Sequence, residues 1–116
     1  MPSRRFRVQW AEAAVRDLEE IVAFIARDSQ VNAERVLNRI ERRSSTLEST
    51  PERGRTVPEL ARLGMRTWRE LVVKPYRLIY RTEGDTVTVL SLFNGRRDLE
   101  DLLLERLVGA IADEFH

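Results

Sequence analysis

Apolar and polar positions alternate at the start of the chain. Phe6, Val8 and Trp10 lie to one side and Arg5, Arg7 and Gln9 to the other, the period of a half-buried strand. From Ala11 the period lengthens. Ala14, Leu18, Ile21, Val22, Ile25 and Ala26 recur at helical spacing while Arg16, Asp17, Glu19, Glu20 and Arg27 fill the opposite face, predicting a helix to about Asp28. Asp28-Ser29 interrupts it. Asn32 is the expected N-cap of a second helix that turns Ala33, Val36, Leu37, Ile40 and Leu47 inward, so the two form an αα-hairpin. Thr50 to Pro58 holds two Pro and a Gly in nine residues and reads as a loop, with Leu60 to Gly64 as a short helical turn or irregular structure.

The next segments read as sheet. Arg66 to Val73 alternates and stops at Pro75; Tyr76 to Thr82 is rich in aromatic and aliphatic residues; Glu83-Gly84-Asp85 turns the chain into Thr86 to Phe93. Links this short make the three strands antiparallel neighbours. Asn94-Gly95 closes the last one. From Asp98, Leu99, Leu102, Leu103, Leu107, Ala110 and Ile111 predict a third helix, with Asp98, Glu100 and Asp101 near its positive end. Its leucine stripe packs on the sheet or, being wide, serves a dimer or partner surface. The order β, α, α, β, β, β, α predicts an α+β domain spanning 1–116, a sheet of about four strands covered on one face by the helical hairpin.

Composition narrows the chemistry. In 116 residues there is no Cys, and the one His is His116, so thiol nucleophiles, zinc-thiolate sites and His-centred acid/base work are excluded. No phosphate-cradling glycine loop, HExxH helix or GxSxG elbow is present, so no cofactor and no metal are expected. The basic start Met1 to Arg7 leads into no apolar run and no stretch is long enough to span a bilayer, which predicts a cytoplasmic protein without a membrane partner.

The net charge of +1 conceals a gradient. Residues 65–97 carry seven basic side chains against three acidic ones, whereas residues 98–116 carry one against six. Nineteen of the 20 cations are Arg, the exception being Lys74. Arg66, Lys74, Tyr76, Arg77, Arg81, Arg96 and Arg97 are the candidate binding residues, either as a positive sheet face and loop rim for phosphate or an acidic peptide, or as solvated positions paired with carboxylates. Arg69 shares a strand face with Leu71 and Val73, so if that face is inward it needs a carboxylate or carbonyl partner. Trp10 and Trp68 read as packing anchors.

Four segments in order carry a resemblance: Trp68-Arg69-Glu70-Leu71, Pro75-Tyr76-Arg77-Leu78-Ile79-Tyr80-Arg81, Gly84-Asp85-Thr86-Val87 and Gly95-Arg96-Arg97-Asp98-Leu99. Together they resemble the RelE/ParE superfamily of type II toxin-antitoxin toxins, over nearly the whole chain. The resemblance implies a microbial RNase-like α+β sheet behind two N-terminal helices, and a cognate antitoxin as partner, in a toxin-antitoxin hetero-oligomer or beside a homodimer. It leaves two activities. RelE-like members cleave mRNA on the ribosome; ParE-like members poison DNA gyrase, block replication and stabilise plasmids without cutting nucleic acid.

For cleavage, the resemblance assigns phosphate binding to Arg77 and Arg97. Glu70 could act as base in principle. The paired lysines of RelE are replaced by Trp68 and Glu70, its last-helix tyrosine by about Leu103, and the His of other branches by Asn94, which cannot exchange a proton near neutrality. The set is incomplete, and so small a net charge suits a ribosomal RNA site poorly. The expectation is a ParE-like gyrase inhibitor, ahead of a ribosome-dependent endoribonuclease and of a non-toxic interaction module of the same fold.

Overall fold

The computed structural model describes residues 4–95 and 103–109. The elements run β1 (Arg7–Trp10), α1 (Glu12–Ala26), α2 (Gln30–Ser45), a 3-10 turn (Thr46–Glu48), β2 (Arg55–Thr56), α3 (Pro58–Ala61), β3 (Arg69–Val73), β4 (Tyr76–Glu83) and β5 (Thr86–Asn94), followed by helical residues 103–109, here α4. The strands form one sheet in the order β1-β5-β4-β3-β2. β1 runs parallel to β5, and the other neighbours are antiparallel. The α+β class and the three-stranded meander match the sequence expectation. Among the described residues five strands replace about four, because Arg55-Thr56 pairs with Arg69-Glu70 inside what reads as a loop.

Local chemistry moves some boundaries. The N-cap of α2 is Ser29 and not Asn32, since the Ser29 hydroxyl accepts the Asn32 N–H at 3.1 Å and satisfies an otherwise orphaned donor. β3 starts at Arg69 rather than Arg66. Glu83 and Thr86 face each other across the β4–β5 hairpin, so its loop is Gly84-Asp85. Gly84 has φ 62° at the first central position, the left-handed geometry that glycine adopts without cost in a type II′ turn. The predicted helix start at Asp98, with Leu99, Leu102, Ala110 and Ile111, lies outside the described residues.

The sheet is covered on both faces, where the sequence predicts cover on one. Leu71, Val73, Leu78, Tyr80, Val87, Val89 and Leu92 pack against Ala14, Ile40 and Leu47 on the hairpin side. Ile79, Leu90 and Phe93 point the other way, onto Val57, Leu60, Trp68, Leu103 and Leu107. A bulge makes this possible. Ile79 faces Ser91 and Tyr80 faces Val89, so Leu90 is the extra residue and the alternation of β5 changes sides there. Each buried Leu or Ile contributes about 1.5–3 kcal/mol, so two such layers supply a core without disulfides.

Candidate functional site

Arg77 and Glu70 are brought together, and both are enclosed. Val72 on β3 faces Arg77 on β4, and Glu70 faces Ile79, which puts Glu70 and Arg77 on the face opposite the helical hairpin. The Glu70 side chain is fully buried. It accepts from Arg77 Nε through one oxygen and from Arg55 Nε at 2.5 Å through the other. Arg77 turns its outer fork to Glu59, with Nη1 and Nη2 donating to the two carboxylate oxygens at 2.7 and 2.8 Å. Bidentate pairing of this kind is the strongest geometry open to a guanidinium.

Glu59 sits in the first turn of α3, directly after Pro58. Its hydrogen bonds from Arg77 hold the carboxyl at about 2, well below its ordinary 4.5, against the opposing effect of burial. Donating to Glu59, and then to Glu70, pushes the Arg77 guanidinium further up. A depressed carboxyl stabilises the fold above its unfolded value, and that stability is lost as pH falls through 4.5 toward 2. Acid titration of the wild type is therefore expected to show a loss on the order of 2 kcal/mol in this window. Glu59→Gln should remove most of it; an unchanged acid profile in the variant would refute the assignment.

The other sequence candidates do not converge on this pair. Arg81 stacks over Trp68 at 5.1 Å and reaches Glu83 at 3.3 Å. Lys74 is in the β3–β4 turn, where its carbonyl accepts from Arg39 and the Lys74-Pro75 bond is cis. Arg66 lines a cleft with Arg69 on the hairpin side of the sheet. Arg69 meets the partner that its inward face requires in the Gly54 carbonyl, at 2.8 Å. Arg96 and Arg97 lie outside the described residues.

Tyr76 belongs to a different feature, an open groove of about 780 Å³ between α1 and the end of β5. Ala13, Ile21 and the exposed ring of Phe24 form one wall, and Leu92, Phe93, Asn94 and Tyr76 form the other. β1 accompanies β5 only as far as Val89, to which Ala11 N–H donates at 2.9 Å. Beyond it, side chains take the place of a neighbouring strand. Asp17 accepts the Leu92 N–H at 3.0 Å, and Arg106 of α4 donates to the Leu90 carbonyl at 3.2 Å and to Asp17 at 3.0 Å. A strand end beside a helix face that mixes Ala13, Ile21 and Phe24 with Arg16 and Glu20 can receive an amphipathic peptide segment.

Sequence reasoning missed Asp17, Arg55, Glu59 and Arg106. Asp17 carried a usable signal: it lies three residues after Ala14 and four before Ile21, on the border of the inward stripe. Among the described residues no group of His, Asp and Glu could hold a metal, and no helix is long and apolar enough to cross a membrane.

The family described as ParE toxin of type II toxin-antitoxin system, parDE, matches residues 8–99. Toxin ParE3 of Caulobacter vibrioides is 34% identical over 84 residues, which cover 72% of this chain and 80% of the relative. The fold resembles the chromosomal ParDE system from P. aeruginosa, with a TM-score of 0.62 at 18% identity, covering 79% of this chain and 98% of that one. It also resembles the RelBE2 complex from Mycobacterium tuberculosis, with a TM-score of 0.58 at 20% identity and coverages of 78% and 91%.

Proposed function

The chain belongs to the ParE toxin family of type II toxin-antitoxin systems, and from that premise we propose that it inhibits DNA gyrase in the cytoplasm, blocks replication and is neutralised by a cognate antitoxin. The observation that carries the choice over mRNA cleavage is the enclosure of Arg77 and Glu70. Phosphate binding needs a guanidinium fork open to the ligand, and both donor edges of Arg77 are engaged by carboxylates. A general base must reach a substrate hydroxyl, and Glu70 is fully buried between two guanidinium groups. Neither side chain is disposed for acid/base work on RNA.

The groove beside β5 supports the antitoxin reading. Its open shape and the exposed Phe24 suit an amphipathic segment that folds as it binds, one whose backbone would compete with Asp17 and Arg106 for the Leu92 N–H and the Leu90 carbonyl. Purified toxin is expected to suppress gyrase supercoiling and to leave mRNA on translating ribosomes uncut, with supercoiling restored by the antitoxin. Cleaved mRNA with undisturbed supercoiling would overturn the proposal in favour of the ribosome-dependent nuclease.

A further inference from the structure

A second concave feature lies at the other end of the sheet, on the hairpin side, and has a different chemistry. It is a cleft of about 400 Å³ whose lining includes Arg4, Arg66, Arg69, Thr67, Thr82 and Glu52. Three guanidinium groups and two hydroxyl-bearing side chains thus surround one space with a single carboxylate.

The cations are uncommitted. Among the described residues neither Arg4 nor Arg66 has an ion-pair partner, and Arg69 spends one N–H on the Gly54 carbonyl, which steadies it while leaving its charge without a carboxylate. The nearby acids are engaged elsewhere: Glu48 with Arg5 at 3.1 Å and Glu83 with Arg81 at 3.3 Å. Arg4 also stacks on the Phe6 ring at 4.8 Å, which holds its guanidinium plane at the cleft.

We propose that this cleft is a nucleic-acid contact that takes a backbone phosphate of a single strand. Guanidinium forks and hydroxyl donors arranged around one space match the several acceptor oxygens of a phosphodiester. The Arg4 plane, backed by Phe6, offers a stacking surface for the adjoining base, which an acidic peptide does not need. The contact is independent of Arg77 and Glu70, which lie on the opposite face of the sheet. It stands whether or not gyrase is the target.

The test is fluorescence anisotropy of a short labelled oligo(dT) strand with the full chain. Arg4→Ala/Arg66→Ala is expected to weaken binding roughly tenfold and to flatten the salt dependence by about 0.7 per arginine removed. Glu52→Gln should tighten it. Arg35→Ala/Arg42→Ala removes the same charge from exposed positions of α2 and should leave affinity within about twofold. Equal weakening by both double variants would reduce the effect to net charge and overturn the proposal. So would an unchanged affinity in the Arg4/Arg66 variant, or displacement of the strand by polyglutamate more readily than by inorganic polyphosphate, which would assign the cleft to an acidic peptide. Circular dichroism melts of the variants exclude unfolding as the cause.

Discussion

Glu70→Ala is expected to cost about 3–5 kcal/mol of folding stability, read from the midpoint of a urea transition, because it removes one partner of a buried ion pair. The carboxylate is fully buried and holds Arg55 on β2 and Arg77 on β4 across β3. Its loss strands the inner edge of Arg77 in the protein interior and leaves a cavity beside Ile79. Glu59 still neutralises the outer edge, which keeps the loss near the lower end of the range. Desolvation makes buried pairs poor contributors when compared with an apolar replacement, so Glu70→Leu/Arg77→Met should recover much of what Glu70→Ala loses. If Glu70 were a base held ready for RNA, Glu70→Gln would keep stability and lose cleavage. A loss below about 1 kcal/mol in Glu70→Ala would defeat the structural assignment.

What was legible in the sequence follows from range. Periodicity reports which residues share a face, and it placed both helices of the hairpin and all three strands of the meander. It failed where alternation breaks. The run Val87 to Phe93 cannot be divided between two faces without the bulge at Leu90, and that bulge is set by pairing with β4 rather than by β5's own residues. The cover of the second face was missed for the same reason. Val57 sits in a Pro- and Gly-rich stretch that reads as loop and Leu60 at the start of a short helical turn or irregular segment, although both are fully buried.

The candidate site shows the same limit. Charge counting places seven cations in residues 65–97 and leaves open a positive surface or positions paired with carboxylates, and the choice at each one is made by the fold. Glu59 reaches Arg77 from eighteen residues away, and Asp17 reaches Arg106 from eighty-nine. Local spacing carries no information about such pairs. The need for a partner is legible at Arg69, because its strand parity with Leu71 and Val73 demands one, and the alternative of carboxylate pairing is the one that holds at Arg77 and Arg81.

The segment that carries Arg55 and Glu59 depends in turn on one glycine, and Gly54→Ala is expected to be as damaging as Glu70→Ala. Gly54 does not have the positive φ of Gly64 and Gly84, so its requirement is space. An added Cβ would stand 2.7 Å from the Tyr80 hydroxyl and closer still to the backbone carbonyl of Glu70, which cannot move without displacing β3. Gly54 N–H donates to the Tyr80 hydroxyl at 2.8 Å, Tyr80 donates to the Pro51 carbonyl at 2.7 Å, and the Gly54 carbonyl accepts from Arg69. Relieving the overlap breaks part of this set and draws β2 away from β3. Overpacking of about 1–3 kcal/mol and roughly 1 kcal/mol for each hydrogen bond together predict a loss of about 3–5 kcal/mol. Tyr80→Phe alone should cost about 1–3 kcal/mol, since it leaves the Gly54 N–H and the Pro51 carbonyl unpaired. The two changes share a contact, so the double variant should lose less than the sum, with a coupling of about 0.5–1 kcal/mol. Only part of the overlap is lifted, because the Glu70 carbonyl remains. Strict additivity would separate Gly54 from Tyr80 and refute the shared contact.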